Sequence, residues 1–242
     1  MLMTNWVAKA KSVVISIAAI VISIGGWNDT ETVLLNTYQK IKTNFTHENE
    51  YQLIEKLTVG HSFDYVRQTT GFPQAVKAST IDRGVKFNYF YFDKFLLSIA
   101  VKENRVAAYA IQALQNDFMA PIPYTEYTLY ESSLAEIIKQ PDKNYIESGS
   151  VNFYLDAIEL GRDALFHQLM VGMYSYTTSN ALQTNTISKL DDAYLFDNTQ
   201  EINSNLGLIR SSEVNTFSIS ELPDDIVLEM MLTKFEFMSY FS

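Results

Sequence analysis

The residues able to carry out acid–base or metal chemistry are few and scattered. The three histidines, His47, His61 and His167, lie far apart, and none has a second histidine three or four residues away. This spacing fits turn or surface histidines better than a metal centre. Acids are paired at Asp191-Asp192 and Asp224-Asp225. Neighbours in sequence do not supply the fixed separation across a cleft that a hydrolytic carboxylate pair needs, and the second pair, after Pro223, reads as a helix start. The chain has no cysteine, which excludes disulfides, thiolate zinc, iron–sulfur clusters and a cysteine nucleophile. It has no Gly-x-Ser-x-Gly elbow and no glycine-rich phosphate loop. The expectation is therefore a non-enzymatic protein with no catalytic residues, cofactor or metal.

One side-chain cluster suggests recognition. Tyr89-Phe90-Tyr91-Phe92 is an aromatic run. In a strand the two tyrosines share one face and the two phenylalanines the other. Tyr89 and Tyr91, with Phe95 close by, form a candidate partner-binding face unless another element covers them.

Composition narrows the class of partner. A formal net charge of -10 opposes nucleic-acid binding and broad adhesion of the body to anionic lipid. Hydrophobic content of 47% is that of a folded chain, and 15 Tyr with 15 Phe favour β-rich packing.

The N-terminal segment points to a membrane. Val13 to Ile24 is uncharged and apolar, and Trp6 and Trp27 bracket it. The 21 helical steps between the tryptophans span roughly 32 Å, one hydrocarbon thickness. Trp6, Lys9, Lys11 and Trp27 are the expected membrane-interface residues, the lysines reaching the nearer surface by their flexible stems. Lys9 and Lys11 precede the apolar run while Asp29 and Glu31 follow it, which favours a cytoplasmic N-terminus and an exported body. The competing reading is a cleaved secretory signal, with Ser23-Ile24-Gly25 as a poor cleavage site. Ser12, Ser16, Ala19, Ser23 and Gly26 line one helical face with small residues, a stripe suited to helix pairing and self-association.

The elements that must position these residues follow from periodicity. The spacing predicts a basic flank over 1–11, a transmembrane anchor over 12–27 and a helical stalk over 28–56. A first α/β unit follows over 57–120 and a second, with a C-terminal helix, over 121–242. Within the first unit, Ser62 is a natural N-cap for a helix that carries Phe63 and Val66 inward and stops at Gly71-Phe72-Pro73. Residues 85–92, 95–101 and 106–114 then read as a meander, with a charged turn at Lys102-Glu103-Asn104-Arg105. Ser133, Leu134 and Ile137 repeat Ser62, Phe63 and Val66 at an offset of 71. A strand follows at 151–158, a turn at Gly161-Arg162-Asp163 and a returning segment at 165–174. Residues 177–185 read as a Ser/Thr/Asn-rich loop, 215–220 as a strand and 226–241 as one final helix packed on the sheet. The fold class is α+β: an N-terminal transmembrane helix, then two tandem helix-on-antiparallel-sheet units.

Leu57 to Gln74, with its Val-Gly-x-Ser start and Gly-x-Pro stop, resembles the opening of the SmpA/OmlA (BamE-like) family, whose fold is similar to the repeat of the β-lactamase inhibitor protein. The likeness extends over residues 57–113, with a weaker echo over 128–175. The whole chain also resembles an uncharacterised bacterial family of membrane-anchored proteins. The resemblance implies a non-enzymatic binding scaffold with a protein partner. The family's members are lipoproteins, however, and this chain has no cysteine to lipidate. The expected function is a binding or envelope-assembly protein of the bacterial inner membrane. The alternatives are an accessory of a bacterial conflict or immunity system and, further off, a hydrolase with an unrecognised site.

Overall fold

The computed structural model describes residues 48–176 and 181–241, and the chain divides into units 1–49 and 50–242. The expected anchor, with Trp6, Lys9, Lys11 and Trp27 and the stripe Ser12, Ser16, Ala19, Ser23 and Gly26, lies outside the described residues. Among the described residues no helix is long and apolar enough to cross a membrane.

The elements in chain order are α1 (Glu48–Glu55), α2 (Phe63–Thr70), β1 (Ala75–Ala78), β2 (Val85–Tyr91), β3 (Phe95–Lys102), β4 (Arg105–Ala113), α3 (Leu134–Ile137), β5 (Lys143–Glu147), β6 (Asn152–Glu159), β7 (Gln168–Ser175), α4 (Ala181–Leu195), α5 (Thr199–Arg210), β8 (Thr216–Ser220), α6 (Asp224–Met230) and α7 (Lys234–Phe241). The strands form one antiparallel sheet in the order β1-β2-β3-β4-β8-β7-β6-β5. The protein is thus a mixed α/β fold on a single sheet. Each half is a four-stranded meander, and β4 pairs with β8 in the middle.

Both faces of the sheet are covered, which explains why the strands are apolar almost throughout rather than alternating. One face carries Phe90, Leu97, Ile99, Tyr109, Ile111, Leu169, Val171 and Phe217 beneath α1 to α5. The other carries Phe87, Tyr89, Ala108, Ala110, Leu155, Met170 and Tyr174 beneath α6 and α7. The aromatic run of β2 is divided by the pleat, Phe90 to the first core and Tyr89 to the second.

Local chemistry sets the turns. Glu103 and Asn104 both adopt positive φ (52° and 60°) between the paired residues Lys102 and Arg105, a two-residue hairpin whose twist matches its strands. Gly71, at φ 80°, ends α2 and returns its N–H to the Arg67 carbonyl. Gly172 answers a steric demand: a Cβ there would lie 2.0 Å from the Tyr154 carbonyl oxygen on the neighbouring strand.

Ser62 occupies the N-cap of α2, but its hydroxyl makes no capping bond. The helix start is instead stitched to β4: the Phe63 N–H reaches the Asn104 carbonyl and the Val106 N–H the His61 carbonyl, both at 2.9 Å. The second half repeats the stitch, with the Leu134 N–H on the Ser212 carbonyl and the Val214 N–H on the Ser132 carbonyl. Ser62 bridges Arg105, and Ser133 bridges Glu213. The strand registers also correspond: Ala75 pairs with Tyr89 and Lys143 with Ala157, while Ile99 pairs with Tyr109 and Val171 with Phe217.

Several expectations are corrected. The segment that repeats α2 at an offset of 71 is only the single turn of α3. The stretch after 180 is not a loop but the hairpin of α4 and α5, with the Asn198 side chain accepting from the Glu201 N–H at the start of α5. The final helix is two helices. Thr233 breaks it by capping α7: its hydroxyl accepts from the Glu236 N–H, and the Glu236 carboxylate accepts from the Thr233 N–H at 2.8 Å.

Candidate recognition cleft

The ionisable groups with altered acidity are used to hold elements together. Asp156 in β6 is fully buried, accepts from the Tyr154 hydroxyl at 2.9 Å, and pairs with Arg210 Nε at the end of α5 at 2.9 Å. Burial pushes its carboxyl above the usual range, against the pull of Tyr154 and Arg210. The same guanidinium donates to the carbonyls of Ile138 and Lys139, fixing the end of α3. Asp224, at the start of α6, accepts from Lys143 and from the Tyr145 hydroxyl on β5. Burial would raise its pKa, but those bonds outweigh it and hold the group low. Glu229 accepts from the Ser79 hydroxyl and from the N–H and hydroxyl of Thr80. Glu236 pairs with Lys77 at 2.9 Å. In both glutamates burial acts upward and hydrogen bonding downward, and the second prevails. Each of these groups joins two segments.

The residues singled out in the sequence are dispersed. The proposed partner face of Tyr89, Tyr91 and Phe95 is corrected on two counts. Tyr89 is buried, its hydroxyl donating to the Met230 carbonyl at 2.9 Å, and Tyr91 stacks on Phe241 with centroids 5.1 Å apart. Phe95 belongs to the opposite face, stacked on Phe118 at 4.7 Å. The C-terminal helices therefore cover the tyrosines. Asp191 accepts from the Ser148 hydroxyl at 2.5 Å, which ties α4 to the segment after β5. His167 is buried with an unpartnered Nδ1, and His47 lies outside the described residues. Among the described residues no group of three or more His, Asp or Glu could hold a metal.

A cleft of about 360 Å³ opens on the first face, lined by Ile54, Glu55, Leu57, Thr58, Tyr109 and residues 121–125. Its size lies at the lower end of small-molecule sites. Ile54 and Leu57, both buried, come from α1 and the residues after it. Opposite them, Pro121-Ile122-Pro123 forms a stiff wall. That segment is closed by the Ile122 N–H on the Tyr127 carbonyl, the Leu129 N–H on the Ala120 carbonyl, and the Thr125 hydroxyl on the Ile122 carbonyl at 2.8 Å. These bonds hold Tyr124 at φ 63°, a conformation that costs of order 1 kcal/mol or more for a non-glycine residue. Tyr124 is left half-exposed at the rim.

Tyr109 lies at the base of this cleft. Only 2% of it is exposed, and its hydroxyl has no hydrogen-bond partner among the described residues. Burial, and then Tyr124, hold that hydroxyl above the ordinary tyrosine range, so it stays protonated. The matching position in the second half is Phe217, which packs edge-on against the Tyr109 ring. Packing alone thus accepts a phenyl ring here, and the Tyr109 hydroxyl is left to meet whatever occupies the cleft. Sequence reasoning passed over the cleft. Its signal is one hydroxylated aromatic inside Ala107-Ala108-Tyr109-Ala110, together with the two prolines.

A second, smaller cavity of about 160 Å³ between β7 and α4 is lined by Tyr130, Asn152, Gln183, Asn215 and others. The Asn215 side chain is spent on the Tyr174 backbone, accepting from its N–H and donating to its carbonyl, each at 2.8 Å.

No family model matches the chain, and no curated protein matches it. Solved structures that match include a cysteine-rich secretory protein from Staphylococcus aureus subsp. aureus Mu50, at 11% identity and a TM-score of 0.37 over 70% of this chain and 46% of that one. Another is an extracellular protein containing an SCP domain from Bacillus anthracis str. Ames, at 11% identity and a TM-score of 0.35 over 70% and 45%. The match covers less than half the length of either protein. The resemblance to the SmpA/OmlA (BamE-like) family, which no family model supports, is withdrawn. Its helix-and-hairpin pattern over 57–113 is present, but as part of an eight-stranded sheet that continues through β8 and is covered on both faces.

Proposed function

We propose that this chain is a membrane-tethered, non-catalytic binding protein of the bacterial envelope, whose exported body recognises its ligand at the Tyr109 cleft. The observation that carries the reading is the make-up of that cleft: apolar walls, hydroxyls and one exposed carboxylate surround a tyrosine whose ring is buried and whose hydroxyl makes no bond to the described residues. This is an arrangement for holding a ligand, while the acids with shifted pKa values are engaged as ties elsewhere. The tether rests on the tryptophan-bracketed apolar run and its preceding lysines. The body is read as two tandem helix-on-sheet units, supported by the matching stitches at Ser62 and Ser133 and by the corresponding registers.

The test is a photo-crosslinking residue at Thr58 on the cleft rim, compared in intact membranes with one at Phe235, which is exposed on α7. The reading expects a discrete adduct from Thr58 alone, and a C-terminal reporter active only outside the cytoplasm. Identical crosslinking from both positions, or a reporter active inside, would overturn it.

A further inference from the structure

We infer that the Tyr109 cleft takes a small amine: an apolar body carrying one protonated nitrogen. This deepens, and rests on, the reading of the cleft as the recognition site. Charge complementarity sets the ligand's sign. Among the described residues no Lys, Arg or His lines the cleft, and the one ionisable carboxylate there is Glu55 at the rim, on a chain of net charge -10. A phosphate or carboxylate ligand would find no cation there. Tyrosine rings present a negative face to a cation, and Tyr109 and Tyr124 both border the space.

The fit continues group by group. Ile54, Leu57 and Ile122 with the two prolines receive the apolar body. The ammonium donates to the Tyr109 oxygen and faces the Glu55 carboxylate. Because the Tyr109 hydroxyl keeps its proton, it serves as a neutral dipole rather than a competing charge. In the second half, Phe217 has no hydroxyl to offer at the matching position. The structure therefore assigns amine recognition to the first half of the sheet only.

The experiment is calorimetric titration of the full-length chain with three probes of one shape: benzylammonium, benzyl alcohol and benzoate. Benzylammonium is expected to bind, with benzoate weaker by about tenfold or more, since its charge opposes Glu55 and finds no partner. Tyr109→Phe should weaken benzylammonium about tenfold through the lost hydrogen bond to a charged group. This variant is expected to fold, because Phe217 already fills the equivalent site. Glu55→Gln, at an exposed position, should weaken binding only about threefold. Three results would each overturn the proposal: benzyl alcohol or benzoate binding as tightly as the amine, wild-type affinity in both variants, or no binding of benzylammonium. None of these touches the crosslinking result from Thr58, so the amine assignment can fail while the recognition cleft stands.

Discussion

Removing the guanidinium of Arg210 isolates a buried charge. In Arg210→Met, Asp156 stays fully buried with only the Tyr154 hydroxyl as partner, and the carbonyls of Ile138 and Lys139 lose their donor. Breaking one side of a buried ion pair costs about 3–5 kcal/mol, within which the two carbonyl bonds contribute about 1 kcal/mol each. The double variant Asp156→Asn/Arg210→Met should recover most of this loss, because the first half already buries Asn88 at the position that corresponds to Asp156. pH separates the charge effect from lost packing. The Asp156 carboxyl already titrates above its unfolded value. The folded state therefore binds more protons in that window, and stability rises as pH falls through the folded pKa toward the unfolded one. Loss of Arg210 widens the window, so Arg210→Met should regain stability on mild acidification more than the wild type does, while the double variant should not. Urea midpoints at neutral and mildly acidic pH provide the assay. Equal midpoints for the single and double variants at neutral pH, or no acid recovery in the single variant, would refute the reasoning.

Other expectations can be checked in the same assay or by hydrogen exchange. Gly172→Ala forces a Cβ onto the Tyr154 backbone and should cost about 3 kcal/mol or more, read as a lowered urea midpoint. Thr233→Ala removes the cap of α7 and should cost about 1 kcal/mol, with faster exchange of the amides of 234–237. Glu229 has a lowered pKa in the folded state, so its contribution is present above the unfolded value and lost as pH falls through the folded one. Acidification should thus release the Thr80 amide to exchange before the strand amides, and Glu229→Gln should show the same release at neutral pH.

The parts of the fold legible in the sequence are those whose signals are local. Ser62, Gly71 and Pro73 bound α2, two left-handed residues at 103–104 make the hairpin, and β2 to β4 are long enough to read as strands. The recurrence of Ser62, Phe63 and Val66 as Ser133, Leu134 and Ile137 is a sequence signal, whereas the matching backbone bonds of Ser62 and Ser133 to the sheet are seen only in the structure. What was missed depends on tertiary partners. β1 and β5 are short edge strands that exist by pairing with β2 and β6. The α4–α5 hairpin hides under Ser, Thr and Asn because only a narrow stripe, including Ile187, Leu190 and Ile209, is buried. The partner face failed on two counts: an all-aromatic strand implies a cover on each side, which α6 and α7 provide for the tyrosines, and Phe95 lies on the opposite face. The cleft joins residues 54, 55, 57, 58, 109 and 121–125, a convergence that no periodicity reports.

The pairing of β4 with β8 has a consequence for how the chain comes into being. Gln112 meets Thr216 roughly a hundred residues further along, so at typical elongation rates β4 is complete about 5–20 s before its partner strand exists. During that interval the first meander presents a nearly all-apolar edge, the kind of surface that recruits another chain. A second nascent copy offers the same β8. The central seam is therefore both the last joint to close and the place where two molecules could exchange halves, which makes the length and order of the 114–215 connection a determinant of whether the protein matures as one chain or as an interlocked pair.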